Sequence, residues 1–153
     1  MRVRDFEHVD KKHRRHPNVS FMKPVRATEK SCGYDVFSPI NVTIAPNDIS
    51  VVWTDVKAYM EDDEVLEANT RSGNGIKKQI VLANVIGWID SDYYCNPSND
   101  GNIGIALKNT SKEYVDFKKG DRIAQLKFSK YLITDTDNPT SKQRIGGIGS
   151  TNE

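Results

Sequence analysis

Two cysteines, Cys32 and Cys95, are too few for a disulfide framework, and both are expected as reduced thiols. No stretch approaches the roughly 18 consecutive apolar residues of a membrane-spanning helix. The segment before position 17 is polar and has no apolar h-region, so no secretory signal is expected. These absences lead to the expectation of a cytoplasmic protein. Histidine is scarce: His8, His13 and His16 all lie in that first segment, far from either cysteine, and no zinc site is expected there. Net charge is nearly absent too, with 22 basic against 21 acidic residues. That balance excludes stable binding to nucleic acid or to a membrane surface by bulk charge. Hydrophobic residues make up 37% of the chain, modest for a self-sufficient core, so an oligomer that buries more apolar surface is favoured.

A length of 153 residues fits one domain. Residues 1–20 read as a polar N-terminal arm whose 8–16 run is rich in Lys, Arg and His. Such a run is a solvated, mobile arm or a contact for a nucleic acid or protein partner. Residues 21–133 carry short β-favouring runs: Val42-Thr43-Ile44-Ala45, Ile49 to Trp53 after the turn Pro46-Asn47-Asp48, Val65 to Asn69, Ile80-Val81-Leu82, Ile103 to Leu107, Tyr114 to Phe117, and Arg122 to Tyr131 after Gly120-Asp121. Only residues 73–79 look helical. Many short strands between turn signals predict an all-β jelly-roll or barrel-like fold with one short helix. Residues 134–153 are Asp-, Asn-, Pro-, Thr-, Ser- and Gly-rich and too polar for core, so they read as an extended C-terminal arm.

Five short motifs stand in a fixed order: Gly33-Tyr34-Asp35-Val36, Arg71-Ser72-Gly73, Gly87-Trp88-Ile89-Asp90-Ser91-Asp92-Tyr93, Gly120-Asp121-Arg122-Ile123-Ala124-Gln125-Leu126, and Gly146-Gly147-Ile148-Gly149-Ser150-Thr151. Together they resemble the trimeric dUTPase family, which hydrolyses dUTP to dUMP and pyrophosphate, and the resemblance runs from about Pro24 to the C-terminus. Water is a poor nucleophile at neutral pH, and a carboxylate that takes its proton helps it attack phosphorus. The resemblance gives that role to Asp90. It sets Tyr93 flat against the deoxyribose, where an aromatic face refuses a 2′-hydroxyl. It makes residues 84–107 a hairpin whose main chain reads uracil, with Asn84, Gly87, Ile89, Ile103 and Gly104 around the base and sugar. A site built for one donor and acceptor pattern rejects the inverted one by factors of about 10⁴–10⁵.

Arg71, Ser72 and Gly73 combine a guanidinium, a hydroxyl and main-chain N–H groups at the start of the predicted helical turn, a set suited to an anion. The resemblance assigns them, with Gln125, to the phosphates. It assigns Arg144, Gly149, Ser150 and Thr151 in the tail to the outer phosphates, and Ile148 to the cover over the base. Asp35 and Asp121 are supporting residues. Mg²⁺ is the implied cofactor, held by the triphosphate and waters with no direct protein ligand and with Asp35 as an outer support. Each active site would be shared among three subunits, with the tail from one closing over the hairpin of another.

Four departures from the family pattern stand out. Thr70 occupies the position before Arg71 where proline is frequent. Cys32 replaces a small buried alanine. Ile148 stands in place of a stacking phenylalanine, with one residue fewer between Arg144 and the glycine pair. The stretch Tyr94-Cys95-Asn96-Pro97-Ser98-Asn99-Asp100 is longer than usual and reads as a surface loop or as a protein-partner loop. A related deaminase fold needs an acid on the strand after Gly101, and residues 101–108 contain none. The runner-up reading is a nucleotide-sensing regulatory protein, a repressor partner, on the same fold.

Overall fold

The computed structural model describes residues 1–140 and 143–148. Its elements are β1 (Asp5–His8), β2 (Val25–Arg26), β3 (Tyr34–Phe37), β4 (Val42–Ile44), β5 (Ile49–Trp53), β6 (Val56–Tyr59), β7 (Glu64–Asn69), α1 (Ser72–Lys78), β8 (Ile80–Leu82), β9 (Gly87–Asp90), β10 (Gly104–Asn109), β11 (Val115–Phe117) and β12 (Arg122–Lys130). A five-stranded sheet has the order β2-β3-β12-β7-β9 and a three-stranded sheet the order β5-β10-β8, with the pairs β1-β6 and β11-β4 beside them. The all-β jelly-roll-like expectation holds.

Side-chain alternation explains why the two main sheets face each other. On β7, Leu66 and Ala68 turn inward while Val65 and Glu67 do not; on β10, Ile105 and Leu107 turn inward while Lys108 is exposed. These residues meet Ile123 and Leu126 of β12, Val52 of β5, Ile44 of β4 and Phe117 of β11 in one core. Each fully buried large apolar side chain contributes about 1.5–3 kcal/mol. The helix ends where Gln79 takes a left-handed conformation (φ 54°) and its N–H donates to the Asn74 carbonyl.

Three expectations are corrected. The N-terminal segment is not a mobile arm over residues 5–9: β1 pairs with β6 in register Phe6↔Ala58, and Phe6 and Val9 are buried. Its charges are satisfied across the fold, as where the Arg4 Nε–H donates to the buried Glu64 carboxylate at 2.9 Å. Residues 84–107 do not form a hairpin. β9 pairs with β7 and β10 with β5 and β8, so the two strands lie in different sheets and the connection between them crosses from one to the other. Cys32 is exposed in the chain, not buried.

Candidate active site

The crossing of chain between β9 and β10 leaves a cavity of approximately 360 Å³, within the usual range for small-molecule sites. Asn84, Gly87, Ile89, Asp90, Tyr93, Ile103, Gly104, Arg144 and Ile148 all line it. Trp88 and Gly147, within the motifs but given no role, line it too, as do Ala68, Leu82, Ile105 and Ala106, which lie outside the motifs. Alternation along β7, β8 and β10 was the available signal for the apolar ones.

The wall formed by β10 is a short unpaired stretch on one side of the central strand of its sheet. β8 pairs with β10 only through residues 80–82 and 107–109, and the last link is the Ala83 N–H donating to the Ala106 carbonyl at 2.8 Å. Beyond that point β8 turns away, helped by Val85 at φ 65°, so residues 104 and 105 border the cavity on that side while they pair with Trp53 and Val52 of β5 on the other. A stretch of this kind offers main-chain donors and acceptors to a flat heterocycle. Gly104 fits closely, since a Cβ there would lie 3.0 Å from the Trp53 ring and that ring would have to shift by a few tenths of an ångström.

Asp90 and Asp92 stand at the cavity mouth, more than half exposed on their side chains. The Arg144 guanidinium bridges them, with Nη2 on Asp90 Oδ2 and Nε donating to Asp92 Oδ1 at 2.6 Å. The Ser98 N–H donates to the Ile145 carbonyl at 3.3 Å, so residues 144–148 lie over the cavity of their own chain. Gly147 rests on Tyr93, where a Cβ would come 2.6 Å from ring atom Cε2. Tyr93 is buried and its hydroxyl donates to the Asn102 carbonyl at 2.6 Å. Burial pushes the Tyr93 hydroxyl pKa up. Gly149, Ser150 and Thr151, expected on the phosphates, lie outside the described residues.

The remaining phosphate candidates form a second cluster. Asp35 is fully buried and accepts from Arg71 Nε at 3.1 Å and from Gln125 Nε2 at 3.3 Å, while Arg122 Nε lies 3.3 Å from its other oxygen. That Arg122 approach is an ion pair without hydrogen-bond geometry, and Asp35 Oδ2 accepts no hydrogen bond from the described residues. Gly33 leaves the space that Gln125 occupies. Ser72 is exposed and Gly73 partly so at the start of α1, and the Thr70 hydroxyl accepts from the Leu82 N–H at 3.0 Å, a link proline would lack. Asp121 Oδ2 accepts from the Lys118 N–H at 2.8 Å and closes the turn into β12.

The chain does not bring the two clusters together. Asp90 pairs opposite Val65 on β7, and Arg71 lies past the other end of that strand. From position 65 to position 71 an extended chain runs on the order of 20 Å. Nor is the 94–100 stretch a plain surface loop, because Asn96 and Asp100 are buried and hydrogen-bonded.

A jelly-roll-like protomer with a base-sized cavity beside an unpaired stretch of strand and a carboxylate at its mouth has the architecture of a nucleotide-binding protein. The dUTPase family model matches residues 20–152. The deoxyuridine 5'-triphosphate nucleotidohydrolase of Lactococcus lactis is 41% identical over 152 residues, 99% of each chain. That of Mus musculus is 34% identical over 132 residues, 84% of this chain and 76% of the relative. The crystal structure of dUTPase from Streptococcus mutans superposes with a TM-score of 0.76 at 37% identity, covering 86% of this chain and 98% of that one. The chain belongs to the dUTPase family.

Proposed function

We propose that this chain is a dUTP diphosphatase that hydrolyses dUTP to dUMP and pyrophosphate. The observation that carries the reading is the Asp90 carboxylate at the mouth of a cavity walled by the unpaired stretch of β10 and the Tyr93 ring. Uracil enters between β8 and β10, near Asn84 and Gly104. The deoxyribose lies on Tyr93, whose ring leaves no room for a 2′-hydroxyl. The α-phosphorus then sits beside Asp90, which accepts a proton from the attacking water. The water oxygen bonds to the α-phosphorus, the bond to the bridging oxygen breaks, and pyrophosphate leaves in line. Arg71, Ser72, Gly73 and Gln125 hold phosphate oxygens, with Asp35 keeping Arg71 and Gln125 in place.

The donor set fits Mg²⁺. That ion keeps several waters and takes one or two carboxylates together with substrate phosphates. Asp90 and Asp92 are exposed but both engaged by Arg144, and Asp35 is committed to two guanidiniums, so these residues suit an ion that takes its ligands from substrate and water. Mg²⁺ would ride on the triphosphate with its waters and would neutralise phosphate charge.

Because Asp90 and Arg71 stand at opposite ends of β7, a complete site needs phosphate-binding residues from another copy of the chain. Exposed Ile49, Val51, Val85 and Trp88 supply apolar surface for such an assembly, and a homotrimer with shared sites is the form we infer. No helix among the described residues is long and apolar enough to cross a membrane. Hydrolysis in heavy-oxygen water tests the chemistry: attack at the α-phosphorus puts the label in dUMP. Label found in pyrophosphate would place the attack elsewhere and refute the assigned role of Asp90.

A further inference from the structure

Residues 93–102 carry a partly buried network of side-chain amides that the hydrolysis does not use. The Asn96 carbonyl oxygen accepts from the Ser98 N–H at 3.1 Å, the Asn99 N–H at 3.2 Å and the Ser98 hydroxyl at 2.9 Å. The Asn96 amide donates at 2.8 Å to the Tyr93 carbonyl and to Asn99 Oδ1. Asn99 Oδ1 also accepts from the Gly101 N–H at 3.1 Å. Two donors therefore fix which end of the Asn99 amide is the oxygen, and its Nδ2 is left to donate to the Tyr93 hydroxyl at 2.8 Å.

The frame around this network is rigid. Lys57 Nζ lies 2.8 Å from Asp100 Oδ2 in a buried ion pair, and the Asp10 N–H donates to the same oxygen at 2.7 Å. Tyr94 reaches across to Glu7, its hydroxyl donating to Oε2 at 2.5 Å. Asn102 exchanges two hydrogen bonds with Asp55, and the Asp55 carboxylate accepts from the Arg15 and His16 N–H groups at 2.8 and 2.7 Å. Residues 1–19 lie outside the family match, which begins at residue 20. Several of them brace the loop from which Asn99 projects.

The consequence falls on Tyr93. Its hydroxyl donates to the Asn102 carbonyl and accepts from Asn99, so both functions are consumed inside the loop and only the ring is available to the cavity. We propose that Asn99 is a positioning residue for sugar selectivity: by clamping the Tyr93 hydroxyl it holds the ring where a 2′-hydroxyl would collide. This rests on the reading of Tyr93 as the wall against the sugar. A ring pinned at its hydroxyl cannot tilt away from a ribonucleotide, whereas a ring held by packing alone yields more easily.

The test is a double-mutant cycle in the full chain, read as kcat/KM for dUTP against UTP by pyrophosphate release. Asn99→Ala should raise relative use of UTP about three- to tenfold, the worth of one neutral hydrogen bond. Tyr93→Phe, which keeps the ring and removes the clamp's target, should do the same. In the Tyr93→Phe background Asn99→Ala should add less than about twofold, because the two share one interaction. Should Asn99→Ala fold poorly, Asn99→Ser keeps an acceptor for the Gly101 N–H yet is too short to reach Tyr93, and should match the alanine result. NMR of isotope-labelled tyrosine gives a readout apart from activity: the Tyr93 ionisation should move further up when the Asn99 donation is lost. A folded Asn99→Ala protein with unchanged selectivity overturns the proposal whether or not the Tyr93 ionisation moves, as does an equal effect in both backgrounds. If Tyr93→Ala itself leaves the sugar preference intact while the ionisation still moves, the clamp is real. The sugar-wall reading, and with it the selectivity role, then fails.

Discussion

Asp90 is open to solvent at the cavity mouth, whereas Asp35 is buried beneath Arg71 and Arg122. A carboxylate in the first setting can take a proton from water; one in the second is an anchor for cations. Asp90→Asn keeps size and removes basicity, so nucleotide affinity should persist while turnover falls by about 10²–10⁴-fold. Titration with a non-hydrolysable dUTP analogue, beside a turnover assay, separates the two effects. Asp35→Asn should act differently. It leaves two guanidiniums without their shared counter-charge and costs about 1–3 kcal/mol of stability by urea unfolding. It should also raise KM for dUTP, because Arg71 loses its support. Ile148→Phe should tighten the analogue by about 0.5–1.5 kcal/mol in calorimetry. Ile148 lines the cavity at φ 50°, a conformation that phenylalanine tolerates no more readily than other large side chains, so the expected gain comes from the ring's contact with the base. Unchanged or weaker binding would mean that the tail does not cover the base.

At the scale of elements, β1 and the loop it braces make stability depend on pH. The His8 imidazole has its pKa pushed down by burial and by Arg14. Its contribution is present above the unfolded value near about 6.5 and is lost as pH falls through the lower folded value. Burial alone would raise the Asp100 carboxyl, but the Asp10 N–H and Lys57 outweigh it and the net shift is downward. Glu64 is held low chiefly by Arg4. Both carboxylates contribute fully above their unfolded values, about 4, and that contribution drains away as pH falls through their lower folded values. Urea midpoints should therefore decline in two steps on acidification. His8→Gln should remove the upper step and Asp100→Asn should flatten part of the lower one; a single step unaffected by either variant would contradict this.

The same elements show what was legible in the chain. β7, β10 and β12 announce themselves by apolar residues in alternation, and α1 by its place after Arg71. β1 does not, because its polar groups find partners far along the chain: Arg4 with Glu64, Asp5 with Lys23, Asp10 with Asp100. A local reading sees only a charged run. The cavity residues were readable because the motifs lie at strand ends. The separation of β9 from β10 was not, since strand pairing is settled by the whole core. Asn99 was hidden in a loop whose polar composition suggested solvent, when its amides in fact satisfy one another.

For the whole molecule, the proposed reading needs a second copy, because Asp90 and Arg71 stand at opposite ends of β7. Asp90→Asn and Arg71→Ala proteins, each nearly inactive, should regain activity when refolded together, because mixed assemblies contain sites with both residues intact. No recovery would mean that each site is built within one chain. The central claim is hydrolysis of dUTP selected by base and sugar together. It is tested most directly by pyrophosphate release from dUTP, dCTP, dTTP and UTP, measured in parallel with Mg²⁺ present. Rapid release from dUTP is expected, with rates lower by orders of magnitude from the other three. Comparable release from all four, or none from dUTP, would contradict it.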